Sequence, residues 1–280
     1  MHLQRAVALY DPAEHRALTF QYAQDIGVRA FCYLSIALWH CGYPDQATRA
    51  AHEALGHARE AAHAHTLAYS LYFGAMTAIF QRRAPEVESR ASASIALSNE
   101  HGFALWLGRC QVLLGWAMAQ AGQGRAAVER IREGLSATAA TGSGLWQPFF
   151  LGLLAETLAA AGEIEEGLAV LAQGLAAADA SGQFGANAEL HRVRGELLRR
   201  LPNPDLAESE SCFREGIRVA RKQGSRGFEL RAAVSLARLL NDQGQGAEAR
   251  NALAPVYAQF HEGFDLPDLK DARAILVALS

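Results

Sequence analysis

Four histidines lie close together in the first quarter of the chain and are the residues most suggestive of metal chemistry. They are His52, His57, His63 and His65. Two histidines on one helix share a zinc ion most readily when they are four positions apart, because residues i and i+4 lie on one face. The separations here are five, six and two, so the first three cannot share a face. The pattern predicts a solvated helix end and no metal site.

Two glycine pairs have the spacing that opens a phosphate-binding loop, in Gly122-Gln-Gly124 and Gly244-Gln-Gly246. A dinucleotide-binding loop follows a strand and contains a third glycine, which lets the next helix approach the phosphates. Here the preceding residues have a helical pattern, and the sequence contains no G-x-x-x-x-G-K-[ST] motif. We therefore interpret both glycine pairs as turns and expect no cofactor.

The polar residues show no arrangement typical of catalysis. Glu163, Glu165 and Glu166 fall in the first turn of a predicted helix, where negative charge favours the helix dipole. No set of serine, histidine and aspartate can be singled out by spacing. We expect a chain without enzymatic activity of its own.

The charge balance argues against a nucleic-acid-binding protein. The net charge is −3 and the isoelectric point is about 6.4, so the chain has no overall attraction to phosphate. Residues 186–240 are locally basic, with eleven basic against seven acidic residues. Because the glutamates are interspersed among the arginines, charge pairs along solvated helices are the favoured interpretation.

Cysteine spacing and hydropathy indicate an intracellular chain. The four cysteines, Cys32, Cys41, Cys110 and Cys212, contain no C-x-x-C pair and are interpreted as small buried apolar residues. No run approaches the roughly 20 apolar residues that a membrane span needs. A cytoplasmic location is expected.

The chain repeats with a period of forty residues. One series of small residues runs Ser35, Ala75, Gly115, Ala155, Gly195 and Ala237. A second series runs Ala54, Ser94, Gly134, Gly174, Gly216 and Val256. Both series slip by two positions at the same segment, Leu201-Pro-Asn-Pro-Asp-Leu206, which we interpret as a turn insertion. Such self-similarity predicts a repeat architecture.

Each repeat has the pattern of a helical hairpin. Alanine, leucine, glutamate, glutamine and arginine dominate between the breaks, so helix propensity is high. Glycines recur where helices should end, as at Gly122 and Gly142. Antiparallel helices approach closely only where a side chain is small, which explains one small position on each helix. Each unit is therefore predicted to be helix A, turn, helix B, turn.

This pattern resembles the tetratricopeptide repeat (TPR). The third unit matches best, with Leu114-Gly115, Gly122, Ala127, Ile131, Gly134 and Leu135. The second unit departs at its turn, Arg82-Arg83-Ala84-Pro85. The period of forty exceeds the usual 34. Local strings such as Leu38-Trp-His-Cys-Gly-Tyr-Pro-Asp-Gln-Ala47 and Glu262-Gly-Phe-Asp-Leu-Pro-Asp-Leu269 resemble the long-helix repeats at the C-termini of large bacterial signalling proteins. These include LuxR-type regulators with nucleotide-binding (STAND) ATPase domains and multidomain adenylate cyclases.

The predicted fold is an all-α, right-handed α-solenoid of about six long TPR-like hairpins. A leading half-repeat occupies residues 1–25, and a C-terminal capping helix occupies 264–280. The six hairpins between them are assigned to 26–64, 65–102, 103–142, 143–183, 184–225 and 226–263. The incomplete first unit suggests that the chain is the tail of a longer protein.

The resemblance implies that helix A of each unit lines a concave groove that binds a peptide or a partner helix. Residues carried over to this groove are Arg29, Trp39, Tyr69, Tyr72, Met76, Arg109, Trp116, Phe149, Glu156, Arg192, Glu196, Arg199, Arg231, Arg238 and Asn241. Aromatic residues and arginine dominate interface energetics, although packing between repeats would explain Trp39, Tyr72 and Trp116 equally well.

The expected function is a non-catalytic protein-protein interaction and regulatory module of a bacterial signalling protein. Its partner would be a protein, a peptide or another domain of a longer parent protein, with no membrane and no nucleic acid expected. The alternative is a small-molecule sensor that controls an attached nucleotide-binding or cyclase domain.

Overall fold

The scarcity of β-branched residues and the helical periodicity give an all-α protein. The computed structural model describes residues 2–279, and every regular element within them is a helix, with no strand. The all-α prediction is confirmed, and successive antiparallel helices form the TPR-like solenoid that the repeat implied.

The chain divides into two compact units, which are described separately. The first unit comprises Met1–Trp39, Tyr43–Ala121 and Glu129–Ser143. The second comprises His40–Gly42, Gly122–Val128 and Gly144–Ser280.

The first unit begins with short helices and continues with long hairpins. The short elements are α1 (His2–Ala8), α2 (Pro12–His15), a 3-10 turn (Arg16–Leu18) and α3 (Thr19–Tyr22). The long helices are α4 (Ile26–His40) up to Trp39, α5 (Pro44–Glu60), α6 (Ala64–Phe80), α7 (Ala84–His101), α8 (Ala104–Gln120) and, from Glu129 onward, α9 (Gly124–Ala140). Helix α6 packs against α5 and α7, and it also contacts α8, the first helix of the next hairpin.

The second unit continues the alternation. Its helices are α10 (Gln147–Ala160), α11 (Ile164–Ser181), α12 (Asn187–Leu198), α13 (Leu206–Gln223), α14 (Arg226–Asp242), α15 (Gly246–Tyr257) and α16 (Pro267–Ala278). A 3-10 turn (Phe184–Ala186) precedes α12. The final helix, α16, packs against α14 and α15, and its buried Leu269 and Ala272 join the apolar core around Phe213 and Leu253. Helix α16 therefore covers the last hairpin, as a terminal cap does in a stacked array.

The predicted helix terminators adopt the left-handed backbone conformation. Glycines with positive φ end helices or form turns at Gly42, Gly102, Gly122, Gly142, Gly162, Gly182, Gly224 and Gly244. At the divergent second turn Arg82 takes this role, with φ of 55°. Glycine has no Cβ to clash in this conformation, whereas arginine adopts it at an energetic cost.

The small residues of the repeat lie where helices cross, as the period predicted. All six members of the first series are buried. At the crossing of α8 and α9, a Cβ on Gly134 would lie 2.6 Å from the carbonyl oxygen of Gly108 and 2.7 Å from the backbone nitrogen of Val112. The two backbones therefore approach more closely than an alanine at position 134 would allow.

Three of the four cysteines are buried, and Cys41 is exposed. Burial raises the pKa of the Cys110 thiol to about 12, so this group stays protonated and behaves as an apolar side chain. The interpretation of the cysteines as buried residues therefore holds for Cys32, Cys110 and Cys212 but is wrong for Cys41, which follows α4 at a turn.

None of the helices that the structure describes combines the length and apolar character required to cross a membrane.

The crossing at Gly134 makes a prediction about stability. Gly134→Ala should lower the free energy of unfolding by about 1–3 kcal/mol, because the new methyl group meets rigid backbone atoms. The matched control is Gly56→Ala on α5, where a Cβ meets nothing within 4 Å. That change should raise stability by roughly 0.5–1 kcal/mol through helix propensity. Urea unfolding followed by circular dichroism measures both, and equal effects at the two positions would contradict the crossing.

Candidate functional site

The first helices of successive hairpins lie side by side in the second unit. Helix α12 contacts α10 and α14, and α14 contacts α16. We call this row of helices, α10, α12, α14 and α16, the A-helix layer of the second unit. Charged side chains connect each of these helices to the next.

The most buried connection joins α12 to α14. Glu189 accepts two hydrogen bonds from Arg192 on its own helix, at 2.8 and 2.9 Å, in a bidentate arrangement. The same carboxylate accepts a third from Nη1 of Arg231 on α14, at 3.0 Å. Bidentate pairing and full hydrogen bonding are what make a buried carboxylate tolerable.

The connection extends in both directions. Arg192 Nη2 lies 3.5 Å from a carboxylate oxygen of Glu156 on α10. Arg231 Nε donates a hydrogen bond to Asp268 on α16, at 2.9 Å. Glu156, Arg192, Glu189, Arg231 and Asp268 thus form one continuous chain of ion pairs across four helices, which we call the ion-pair ladder.

Charge pairing in the ladder shifts the pKa values of Glu189 and Arg192. Burial by itself would raise the pKa of Glu189, but the Arg192 and Arg231 guanidinium groups outweigh this effect and hold it at about 2. Burial would lower the pKa of Arg192, and Glu189 more than reverses that effect, so the pKa is raised. Glu189 and Arg192 are therefore both charged at neutral pH.

A second set of polar pairs connects α12 to α14 and α14 to α16, and all of its members except the buried Ser235 are partly or fully exposed. Ser235 donates a hydrogen bond to Glu196, at 2.6 Å. Arg199 donates to Asp242, at 2.8 Å, and Arg238 donates to Asp271, also at 2.8 Å. The Arg238 and Asp271 side chains are about two-fifths exposed, so these groups can exchange water for a partner.

The first unit has an aromatic arrangement in the corresponding helices. The Arg109 guanidinium on α8 lies 5.6 Å from the centre of the Tyr72 ring and 5.5 Å from that of Trp106. The Trp106 ring also contacts Tyr69 edge-on, with centroids 5.3 Å apart. Arg109 donates a hydrogen bond to Ser143, at 2.9 Å. These side chains hold α6 and α8 together through cation–π and aromatic contacts.

The structure divides the predicted groove residues into buried and accessible sets. Those buried in helix packing are Trp39, Tyr69, Tyr72, Met76, Arg109, Trp116, Phe149 and Arg231. Those with intermediate exposure are Glu156, Arg192, Glu196 and Arg199, and those exposed are Arg29, Arg238 and Asn241. Trp39 stacks on Phe80, with ring centroids 4.8 Å apart, and Tyr72 packs edge-on against Phe73. Both residues therefore contribute to packing. Binding by this set remains a prediction.

Sequence reasoning missed the acidic partners of the arginines. These partners are Glu189, Asp242, Asp268 and Asp271. Their separations from the arginines, 42 for Glu189 to Arg231 and 43 for Arg199 to Asp242, are close to one repeat. A search for opposite charges about one period apart would have found these two pairs, whereas Arg231 and Asp268 are 37 residues apart and Arg238 and Asp271 are 33 apart. Pairs within one helix, such as Arg218 with Glu215, are also present as expected.

The histidine cluster serves local structure. His63 Nδ1 accepts the backbone N–H of Thr66 at 3.3 Å and so caps α6, and His65 Nε2 accepts from Trp106 Nε1 at 2.9 Å. The His57 ring packs edge-on against Tyr10. Within residues 2–279, no group of three or more potential ligands is placed to hold a metal ion.

Replacing Glu189 should change how stability depends on pH. Its folded pKa of about 2 lies below the unfolded value of roughly 4.3, so its stabilisation is present above that unfolded pKa and is lost as pH falls toward 2. Glu189→Gln should therefore be less stable than wild type at pH 7, and the gap should narrow by up to roughly 3 kcal/mol as pH falls from 5 toward 2. Urea unfolding at several pH values measures the gap, and a constant gap would contradict the ladder.

Comparison with known proteins supports a repeat interpretation. The tetratricopeptide repeat family model matches residues 148–173 and 230–255, which cover most of α10 and much of α14 and α15. An uncharacterised protein of Rhizobium meliloti (strain 1021) is 26% identical over 241 residues. The match covers 85% of this chain and 23% of the relative, so the chain spans about a quarter of that protein's length.

Two solved structures have a similar fold. The apo form of RapI is similar with a TM-score of 0.61 and 13% identity, over 90% of this chain and 84% of that one. A Rap protein complexed with Competence and Sporulation Factor gives a TM-score of 0.59 and 11% identity, over 91% and 75% of the two chains. Together with the stacked hairpins, these matches show that the chain contains a tetratricopeptide-like helical region.

Proposed function

We propose that the chain is a non-catalytic interaction module that binds a protein or peptide partner on the A-helix layer of the second unit. The observation that carries this proposal is the ion-pair ladder. It links α10, α12, α14 and α16 by charge pairs, which are largely buried except at Glu156, and Arg238, Asn241 and Asp242 are exposed on α14.

A binding surface needs side chains held in fixed positions, because ordering them on association costs free energy. Arg199 and Arg238 are each already ordered by a carboxylate on the next helix of the layer. Arg238, Asn241 and Asp242 are exposed along the last turns of α14. Arginine at such a position forms planar, directional hydrogen bonds with carboxylates and carbonyl oxygens of a partner.

The fold comparison supports a peptide or protein partner. A solved Rap protein with a similar fold forms a complex with Competence and Sporulation Factor. At 11% identity this similarity extends to the fold and does not allow individual binding residues to be transferred to this chain. We therefore propose only the class of partner, a peptide or a protein.

We further propose that the module regulates a longer signalling protein, such as a STAND-type ATPase, a LuxR-type regulator or an adenylate cyclase. The R. meliloti relative is about four times as long as the matched segment, which is consistent with this context. In such a protein the partner could be another domain of the same chain.

The proposal is tested with a displayed library of random peptides, selected on the full chain and measured by titration calorimetry. The double variant Arg238→Ala/Asn241→Ala should weaken the selected peptides by about tenfold or more, a loss typical of removing one arginine contact at an interface. The matched control, Arg218→Ala/Lys222→Ala, removes two exposed cations from the neighbouring helix α13 and should leave affinity unchanged.

Removing the exposed pair between Arg238 and Asp271 costs stability of only about 0–1 kcal/mol, so the variant should remain folded. The proposed surface would be contradicted if both double variants lost peptide affinity equally, or if only the α13 variant lost it. Failure to select any binding peptide would contradict the proposed function itself.

A further inference from the structure

A small apolar pocket lies at the start of α10 and α12 in the second unit. Its volume is about 260 Å³. Its walls are formed by Leu145, Trp146, Pro148 and Phe149 on one side and by residues 182–186 on the other. None of the lining side chains carries a charge.

Large apolar side chains at this pocket are exposed to solvent. Leu145 is 50% exposed and Phe184 is 49% exposed, while Phe149 forms a buried floor with 4%. Leu145 and Phe184 line the same pocket. Concave sites lined by aromatic residues, with few polar groups, are typical of small-molecule binding.

Trp146 holds an unfavourable backbone conformation at this site. Its φ is 72° and its ψ is 1°, in the left-handed region that disfavours a bulky residue. Glycine or asparagine would occupy the turn at lower cost. We interpret the indole in this conformation as a functional feature, because strain of this kind clusters at functional sites.

The pocket is fixed by hydrogen bonds across its two walls. Gln183 Oε1 accepts the backbone N–H of Trp146 at 2.9 Å, and Gln183 Nε2 donates to the carbonyl of Gly144 at 3.1 Å. Gln223 Nε2 donates to the carbonyl of Phe184 at 2.7 Å, which anchors the other wall. The pocket is therefore formed before any ligand arrives.

We propose that this pocket binds an uncharged bicyclic aromatic small molecule, a site that the partner surface on the A-helix layer does not include. An apolar protein cavity of about 150 Å³ holds benzene, so about 260 Å³ suits two fused rings. The rings of Trp146, Phe149 and Phe184 offer faces and edges for aromatic packing. The absence of lining charges disfavours an ionised ligand, whose desolvation would find no compensation.

The test uses the full chain and the neutral bicyclic dye 1-aminonaphthalene, whose fluorescence depends on the polarity of its surroundings. Wild type should bind the dye saturably, and Phe184→Ala and Trp146→Gly should each weaken binding by at least about tenfold. Trp146→Gly also relieves the strained φ, and an unchanged circular-dichroism melting curve of this variant shows that loss of binding does not come from unfolding. The matched control is Phe264→Ala, which removes a phenylalanine of similar exposure, 47%, outside the pocket.

Competition distinguishes the ligand class. Indole should displace the dye, and the anionic indole-3-acetate should not. Three results would contradict the proposed site. They are absence of saturable dye binding by wild type, equal weakening of dye binding by Phe264→Ala, and unchanged dye binding in Trp146→Gly and Phe184→Ala. Displacement by indole-3-acetate at the same concentration as indole would overturn the assignment to uncharged ligands.

Discussion

The architecture depends on close contact between antiparallel helices at positions without a bulky side chain. At Gly195 on α12 a Cβ would lie 2.5 Å from the ring of Phe213 on α13, so the aromatic ring occupies the space that a side chain would need. Close crossings of this kind explain why small residues recur about once per repeat on the paired helices, with Val256 on α15 as an exception. Alternation of helices then places the first helices of neighbouring hairpins next to each other, as seen for α10, α12 and α14.

Because the first helices of neighbouring hairpins are adjacent, charged side chains about one repeat apart in sequence can form ion pairs. Glu189 and Arg231 are 42 residues apart in sequence and 3.0 Å apart in the structure. An isolated carboxylate buried at this depth would be costly, and its pairing with two guanidinium groups makes it tolerable. The ladder that results fixes α16 through Asp268, so the capping helix is held by ion pairs as well as by apolar burial. Stacking and charge pairing together produce the ordered surface proposed for a partner.

Much of this fold could be predicted from the sequence because its signals are local. Helix propensity, the glycine terminators and the period of forty depend on residues that act within one hairpin, and the structure confirms the helices and the positive φ values. The site was less predictable. Whether Tyr72 faces a groove or a neighbouring helix depends on side-chain packing between repeats, and the structure shows it fully buried.

Other features needed the coordinates for a different reason. The pocket beside Trp146 is formed by two turns about forty residues apart, and neither turn has an unusual sequence by itself. The backbone strain at Trp146 has no sequence signal, because tryptophan is not a residue expected in a left-handed turn. The period predicted that these turns occupy equivalent positions in successive repeats. It did not predict that they enclose a pocket.

The most direct measurement of the central claim is a double-mutant cycle between Gly195 and Phe213, read as the free energy of unfolding. If helices touch because the ring fills the place of the missing side chain, Phe213→Leu should recover part of the stability that Gly195→Ala loses. The expected coupling between the two positions is about 1–2 kcal/mol. Strictly additive effects of the two substitutions would contradict the account.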